Sequence, residues 1–446
     1  MSEEPSPRAR TDSAGPRLVR AIGRWDLTAL TVNGVIGSSI FGMPAVLAAL
    51  TGAWSPLAVL LAAAGILFIV LCHAEVASRF REPGGTYLYA REAFGGFVGF
   101  QAGWLGFWIR VTSMGANLNV FVSYLAAMAP AVARPRGRVL TMLLVTALVT
   151  VVNLRGVRQS ARTVDLFAVA KVAPLLGLVL LGLWRIRPQV LATQAVAAPD
   201  WTQAVLLLVF AYGGFEAALV PAGEVRDPRK DAAFSLLMAL GIVAAVYTLV
   251  QLAVVGLVPH AASAPAPVAA AYGVLLGGAG VTLASVAAMV STYGWTLGSV
   301  LTSPRIVYSM GERGDLPGWL AHVHPRFRTP DVAILVYAMA GLLFALSGGF
   351  AANATISAII RLVTYGLVCA SLVALRRRPG VDPPAFRLPA GGVVSALGLS
   401  FCVWLVSTRT FTQAWILLAL IGLGAAFWAV SARGRGRGPG PAAAPV

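Results

Sequence analysis

Twelve apolar runs, separated by short polar segments, dominate this sequence of 446 residues. A helix needs roughly 20 apolar residues to cross a lipid bilayer, where every backbone polar group must be paired internally. Of all residues, 58% are hydrophobic and only 11% are charged, whereas soluble domains carry roughly 25% charged residues. The sequence therefore predicts an all-α integral membrane protein with twelve transmembrane helices. The runs cover residues 26–50, 55–79, 97–128, 138–154, 163–184, 201–222, 233–258, 273–303, 331–347, 355–375, 389–407 and 413–431.

The positive charges indicate how these helices are oriented. The two tails and every second connecting segment together hold 25 Lys and Arg residues, the other segments hold six, and three lie inside runs. Because cytoplasmic loops are enriched in Lys and Arg, both termini are predicted to be cytoplasmic. The net charge of +17 is spread over short loops, which indicates a lipid bilayer and not a nucleic acid as the partner. Lys occurs only at Lys171 and Lys230; this Arg bias is typical of GC-rich bacteria and predicts a bacterial cytoplasmic (inner) membrane.

The first run contains an interruption in the stretch Val32–Val46, where three glycines and two serines crowd the middle. Glycine is a weak helix former, and serine offers the backbone competing hydrogen bonds. A helix broken at mid-membrane leaves N–H and C=O groups that lipid cannot satisfy, so the break must face protein, water or a ligand. The alternative interpretation is that these small residues only allow close packing of two helices.

The two ends of such a break have opposite polarity. The amides of Ser38, Ser39 and Ile40 would begin the second half-helix and suit a carboxylate. The carbonyls near Val35 and Ile36 would end the first half-helix and suit an ammonium group. This pair of sites matches the head group of an amino acid.

A second interruption, Phe210–Gly214, lies in the sixth run and is followed by the acidic Glu216. Interrupted spans in corresponding positions of two chain halves indicate a transporter binding site. The first and sixth runs are separated by an odd number of crossings, so a repeat of five helices would be inverted. The predicted organisation is a disordered cytoplasmic tail (1–24), a first inverted repeat (25–184), a second inverted repeat (201–375), two extra helices (389–431) and a cytoplasmic tail (432–446).

Several stretches together resemble the amino acid–polyamine–organocation (APC) superfamily, in its bacterial amino acid permease branch. They are GVIGSSIFGMP (34–44), AEVASRFREPGGTYLYAREAFG (74–95), NLRGVRQSA (153–161), FAYGGFEAALVPAGEVRDPRK (210–230) and SPRIVYSMGERGDLP (303–317). The resemblance implies a LeuT-type fold, in which two inverted repeats of five helices are followed by two extra helices. It also implies uptake or exchange of amino acids by alternating access.

The resemblance further implies roles for individual residues. The small-residue break of the first run would hold the substrate carboxylate through backbone amides. Phe210 matches an aromatic gate, and the carbonyls from Phe210 to Tyr212 would help to hold the α-ammonium group. The predicted substrate-binding residues are Ile36, Gly37, Ser38, Ser39, Ile40, Phe210, Ala211, Tyr212 and Gly213.

Two charged residues inside runs are the predicted coupling residues. Lys171 matches a lysine that takes the place of a sodium ion in sodium-independent family members, which makes the transporter sodium-independent. Glu216 matches an acidic position discussed for proton coupling, although it could instead cap the amides of its own half-helix. Two further charges inside runs, Arg110 and Arg361, are expected to pair with acids or carbonyls in the bundle, and the alternative is that they bind an acidic substrate.

Substrate choice is indicated by the third run, where GWLGFWIRVTSMG contains no acidic residue. This argues against a cationic amino acid or a polyamine. A pocket walled by Phe210, Tyr212, Trp104 and Trp108 would favour neutral, apolar side chains.

Other protein classes lack their expected signatures. No nucleophile, base or nucleotide-binding motif of an enzyme is found, and no repeated filter segment of a channel. No metal or organic cofactor is predicted, and the energy source would be a proton gradient or exchange. The remaining alternatives are an amino acid/polyamine antiporter and a non-transporting amino acid sensor of the same fold. The protein is expected to be a monomer or a homodimer.

Overall fold

The computed structural model describes residues 22–80, 84–156, 161–219 and 225–435. These residues form sixteen α-helices, and the backbone pairing outside them includes one isolated bridge between Ile22 and Val225. The helices are α1 (Arg24–Val35), α2 (Ser39–Thr51), α3 (Ser55–Ala77), α4 (Gly85–Phe94), α5 (Gly96–Met128), α6 (Pro135–Leu154), α7 (Ala161–Gly182), α8 (Pro188–Ala192), α9 (Trp201–Tyr212), α10 (Pro228–Leu257), α11 (Pro267–Thr302), α12 (Pro304–Glu312), α13 (Asp331–Ser347), α14 (Phe350–Arg377), α15 (Gly391–Ser407) and α16 (Phe411–Arg435).

Apolar helices of membrane-crossing length confirm that this is an all-α membrane protein. Within the described ranges, six helical stretches are long and apolar enough to span a bilayer, and three shorter apolar helices accompany them. The lipid-facing character is clearest on α6, where Leu140, Leu144 and Leu148 are all exposed. Such a surface is stable in contact with lipid tails but would be unusual in water.

Each predicted apolar run is mainly helical over its described part, and the sixth run consists of α9, a turn at residues 213–214 and a 3₁₀ helix at Phe215–Leu219. The predicted tail 1–24 lies outside the described residues up to position 21, and the predicted tail 432–446 lies outside them from position 436. Helix α11 begins six residues before the eighth predicted run (273–303) and contains a kink at Gly277, where the backbone has φ +62°. The kink separates the first turns of α11 from the part that reaches the site.

Two helices in the centre of the bundle are interrupted. The first break separates α1 from α2 at residues 36–38, and the second follows the end of α9 at Tyr212. The long helices α3, α10, α11 and α14 pack against the interrupted helices. The interrupted backbone is therefore enclosed by protein, as the bilayer requires.

Candidate substrate-binding site

The two breaks touch each other through glycine backbones. A Cβ atom on Gly214 would lie 2.5 Å from the carbonyl oxygen of Gly34, and one on Gly34 would lie 3.3 Å from the carbonyl oxygen of Gly214. Gly214 also has φ +117°, a conformation that residues with a side chain rarely adopt. Gly214 requires glycine because of both its backbone conformation and this close approach, whereas a Cβ atom at Gly34 would make a tight contact.

Gly214→Ala is therefore expected to lower the free energy of unfolding by at least about 2 kcal/mol. The added methyl group would both strain the backbone and push the two interrupted helices apart. The measurement is the thermal unfolding of the purified protein in detergent. Gly241→Ala in α10 is the matched control, because nothing lies within 4 Å of a Cβ at that position; equal melting temperatures for the two variants would contradict the contact.

A cavity of about 520 Å³ lies beside the breaks. Of the predicted residues, seven line it: Gly37, Ser38, Ser39, Phe210, Gly213, Lys171 and Glu216. The other four, Ile36, Ile40, Ala211 and Tyr212, do not line it. Their side chains are buried in the surrounding core.

Lys171 binds the end of the first half-helix. Its Nζ donates hydrogen bonds to the carbonyl oxygens of Asn33 at 2.6 Å and Ile36 at 2.7 Å. A cation is stabilised at a helix C-terminus by the unpaired carbonyls and the dipole of the helix. The lysine therefore compensates the negative end of α1.

The Tyr247 hydroxyl connects the two breaks. It lies 3.1 Å from the carbonyl oxygen of Val35, 3.2 Å from that of Ala211 and 2.9 Å from the Ser39 hydroxyl. The carbonyls of Val35 and Ile36, which were predicted to accept a ligand ammonium group, therefore already accept hydrogen bonds from Tyr247 and Lys171. The sequence reasoning identified Lys171, but it assumed that the break leaves these carbonyls unpaired, and it missed the tyrosine supplied by α10.

Glu216 and Arg361 form a buried ion pair behind the second break. The Nη1 atom of Arg361 bonds Glu216 Oε1, while Glu216 Oε2 accepts from the Gly214 amide at 2.9 Å and from the Tyr365 hydroxyl at 3.1 Å. The prediction that Arg361 pairs with an acid is confirmed. Glu216 also caps an amide of its own break, which is the structural role considered for it above.

The guanidinium group of Arg361 lies against the backbone of Gly213. A Cβ atom at Gly213 would approach Arg361 Cζ to 2.5 Å. The glycine therefore makes room for the arginine, and the ion pair holds the break in shape.

Arg110 differs from the other cavity charges. Its side chain lines the cavity and is half-buried, and it makes no hydrogen bond or ion pair with the residues that the structure describes. The predicted direct pairing of Arg110 with an acid or a carbonyl is not found in this part of the chain, although Glu216 is close enough for an electrostatic interaction. The backbone carbonyl of Arg110 accepts a hydrogen bond from the Tyr337 hydroxyl at 3.0 Å, which ties α5 to α13 at this position.

The predicted aromatic wall is largely wrong. Trp104 donates to the carbonyl oxygen of Leu420 and Tyr212 donates to that of Val59, while Trp108 packs edge to face on Trp104. None of these three side chains lines the cavity. They face other helices because α5 and α9 turn different sides toward the site than the sequence reasoning assumed.

Trp295 of α11 forms a wall that the sequence reasoning missed. Its ring carbon Cδ1 would lie 3.6 Å from a Cβ atom at Gly37. It lies with Tyr293 in a stretch of mostly small residues (STYGWTLGS, 291–299). Large aromatic residues within such a stretch of an apolar run are the signal that would have identified this wall.

Several polar atoms at the cavity have no partner. Asn33 Oδ1, Ser38 Oγ, Asn117 Oδ1 and Ser291 Oγ are buried without a hydrogen bond among the described residues, and all four residues line the cavity. Buried polar atoms are nearly always paired. Their clustering at one cavity is the pattern expected where a polar ligand completes the hydrogen bonding.

The two ends of the cavity differ. At one end it reaches Tyr87 of α4 and Thr302 of α11, and the latter is exposed. At the other end Phe210 packs edge to face on Phe350, whose ring would lie 3.0 Å from a Cβ atom at Gly42. The site is therefore accessible beside α4 and closed behind Phe210.

Comparison with known proteins identifies the family. A family model described as amino acid permease matches residues 22–431. The serine/threonine exchanger SteT of Bacillus subtilis is 28% identical over 91% of this chain and 95% of its own length. The methylthioribose transporter of the same organism is 26% identical, over 90% of this chain and 91% of its own. The human large neutral amino acids transporter small subunit 2 is 27% identical, over 85% and 74%. These matches confirm the resemblance noted in the sequence, and the chain belongs to the amino acid permease family.

Proposed function

We propose that this protein is a secondary active transporter that moves a neutral amino acid across the bacterial cytoplasmic membrane by alternating access, without sodium. The observation that carries the proposal is the contact of two interrupted helices, at Gly34 and Gly214, beside a cavity of about 520 Å³ lined by unpartnered polar atoms. Relatives that exchange serine and threonine or carry large neutral amino acids support the substrate class.

The proposed topology has twelve crossings with both termini in the cytoplasm. The LeuT-type inverted repeats would comprise residues 25–184 and 201–375, and residues 389–431 would add two helices. The chain would act as a monomer or a homodimer, with no metal or organic cofactor and no nucleic acid partner. The excess of Lys and Arg in the segments assigned to the cytoplasm supports this orientation.

The amino acid carboxylate would bind the first amides of α2, at Ser38, Ser39 and Ile40, where the helix has unpaired N–H groups and a favourable dipole. The ammonium group would bind Asn117 Oδ1 beside Phe210, because this oxygen lines the cavity and has no hydrogen-bond partner among the described residues. The carbonyls of Val35, Ile36 and Phe210 are already engaged by Tyr247, Lys171 and the Gly213 amide.

The proposed transport step follows from the two ends of the cavity. In this topology α4 lies on the cytoplasmic side, so the described conformation would be open inward. Outward opening would separate Phe210 from Phe350 and close the passage beside Tyr87. The substrate would drive the change by binding the closed, intermediate state more tightly than either open state.

Lys171→Met is expected to weaken amino acid binding by about tenfold or more. Each lost charge-assisted hydrogen bond removes about 1.5–3 kcal/mol of the free energy that stabilises the conformation of the break. The measurement is equilibrium binding of the labelled substrate to purified protein. Lys230→Met is the matched control, since this lysine forms only an exposed ion pair with Asp227. Equal binding by the two variants would exclude a role for Lys171 in the site.

Two readouts on the purified protein test the function. We expect a neutral amino acid to raise the melting temperature in a screen of the proteinogenic amino acids. The same amino acid should enter proteoliposomes, and replacing sodium with choline should not change the rate. Faster uptake into vesicles preloaded with unlabelled substrate would identify an exchanger, and uptake that follows an imposed pH gradient would identify proton coupling.

The alternatives give different results in the same experiments. Stabilisation without uptake would indicate an amino acid sensor. Preference for a polyamine or its parent amino acid would indicate the antiporter. An absence of both stabilisation and uptake for every amino acid would contradict the proposal.

A further inference from the structure

Four charged side chains line the described part of the cavity: Lys171, Arg361, Arg110 and Glu216. Lys171 is bonded to two backbone carbonyls, and Arg361 is paired with Glu216. Arg110 alone among these four has no hydrogen-bond partner among the described residues. The cavity therefore presents one guanidinium group that interacts with Glu216 and Tyr337 only at longer range and donates no hydrogen bond to the described residues.

An arginine within a membrane-spanning helix is costly and marks a functional site by default. In the open cavity, water can solvate the guanidinium group. When the cavity closes around a substrate, that water is expelled, and an unpaired buried charge would become strongly unfavourable. The closed state would therefore require an acceptor that the substrate itself supplies.

The backbone carboxylate of the substrate already has a binding place at the start of α2 under the proposed function. Arg110 lies on a different wall of the cavity, on α5, where its backbone carbonyl is fixed by Tyr337. An arginine presents five donors in a planar fork and attracts oxygen acceptors while it repels cations. Its position and chemistry suit the side chain of the substrate better than the head group.

We propose that Arg110 is a specificity-determining residue that binds an oxygen acceptor on the substrate side chain. The preferred cargo would be a neutral amino acid with a hydroxyl or amide oxygen on its side chain, and cationic side chains would be rejected. This inference rests on the proposed function and adds the substrate class to it. A site built to hydrogen-bond an oxygen discriminates strongly against an isosteric apolar analogue, because its donors are then left unpaired.

The experiment compares pairs of amino acids of similar shape as competitors of labelled substrate uptake into proteoliposomes. Threonine is paired with valine, and asparagine and aspartate are both paired with leucine. In the wild-type protein we expect threonine and asparagine each to be at least about tenfold more effective than the apolar partner. We expect asparagine to be stronger than aspartate, whereas the reverse order would contradict a neutral substrate.

Arg110→Met should reduce the threonine-to-valine ratio toward one, and Arg110→Lys should restore part of it. Arg185→Met is the matched control, because it removes the same charge from an exposed arginine outside the cavity. If Arg110→Met does not fold, the ratio of competitor strengths in the wild-type protein still tests the inference.

Three outcomes would overturn the inference: wild-type ratios near one, a ratio unchanged in Arg110→Met, or an equal loss of all competitors in that variant. The last outcome would mean that Arg110 binds the head group that all amino acids share. In each case the wild-type protein would still transport an amino acid. Failure of the proposed function is distinguishable, because the wild-type protein would then transport none.

Discussion

Gly37→Leu is expected to abolish amino acid uptake while the protein remains folded and inserted in the membrane. Gly37 lies in the non-helical segment between α1 and α2 and lines the cavity. A leucine side chain would extend three carbons beyond Cβ, toward the ring of Trp295 and into the space assigned to the head group. Because the segment is not helical, the substitution should change binding far more than it changes stability.

Gly37→Ala is the matched control for this prediction. Its Cβ atom would lie 3.6 Å from Trp295, an ordinary contact distance, so alanine should preserve most of the uptake. Initial rates in proteoliposomes, normalised to the amount of folded protein, measure the effect. Uptake by Gly37→Leu at the level of Gly37→Ala would mean that the substrate does not occupy the break.

The second large effect is expected from the buried ion pair behind the second break. Glu216→Met would leave Arg361, which is only 5% exposed, without its carboxylate partner. Breaking a buried pair by removing one member costs about 3–5 kcal/mol. We therefore expect a pronounced loss of unfolding free energy, together with loss of uptake because the break loses its cap.

The double variant Glu216→Met/Arg361→Met separates pairing from packing. It removes both charges at once, so it should recover a large part of the stability lost in Glu216→Met. Glu312→Met is the control, because this carboxylate is exposed and, among the described residues, accepts its hydrogen bond from the Tyr308 hydroxyl. The measurement is denaturant or thermal unfolding of Glu216→Met, Arg361→Met, the double variant and Glu312→Met in one detergent. A double variant less stable than both single variants would rule out the pairing.

The helical framework could be predicted from the sequence because the bilayer imposes a simple pattern. Each apolar run became a helix over its described part, and the glycine-rich stretches near Gly37 and Gly213 interrupt their helices. Local composition is sufficient for such features, since helix propensity and the cost of unpaired backbone act within a few residues.

The chemistry around the breaks could not be predicted in the same way. Glu216 and Arg361 are 145 positions apart in the sequence, and Lys171 lies on a different helix from the carbonyls that it binds. Such partners depend on how whole helices pack and rotate. The same limitation explains why Trp104 and Trp108 were assigned to the cavity, whereas Trp295 was not.

The account depends on one claim, that the interrupted backbones at α1–α2 and after α9 hold the head group of an amino acid. The most direct test is an experimental structure of the protein with its transported amino acid bound. We predict that the substrate carboxylate lies within hydrogen-bond distance of the amides of Ser38, Ser39 or Ile40, with its ammonium group beside Phe210. A substrate bound elsewhere in the cavity, with these amides contacted only by water, would contradict the account.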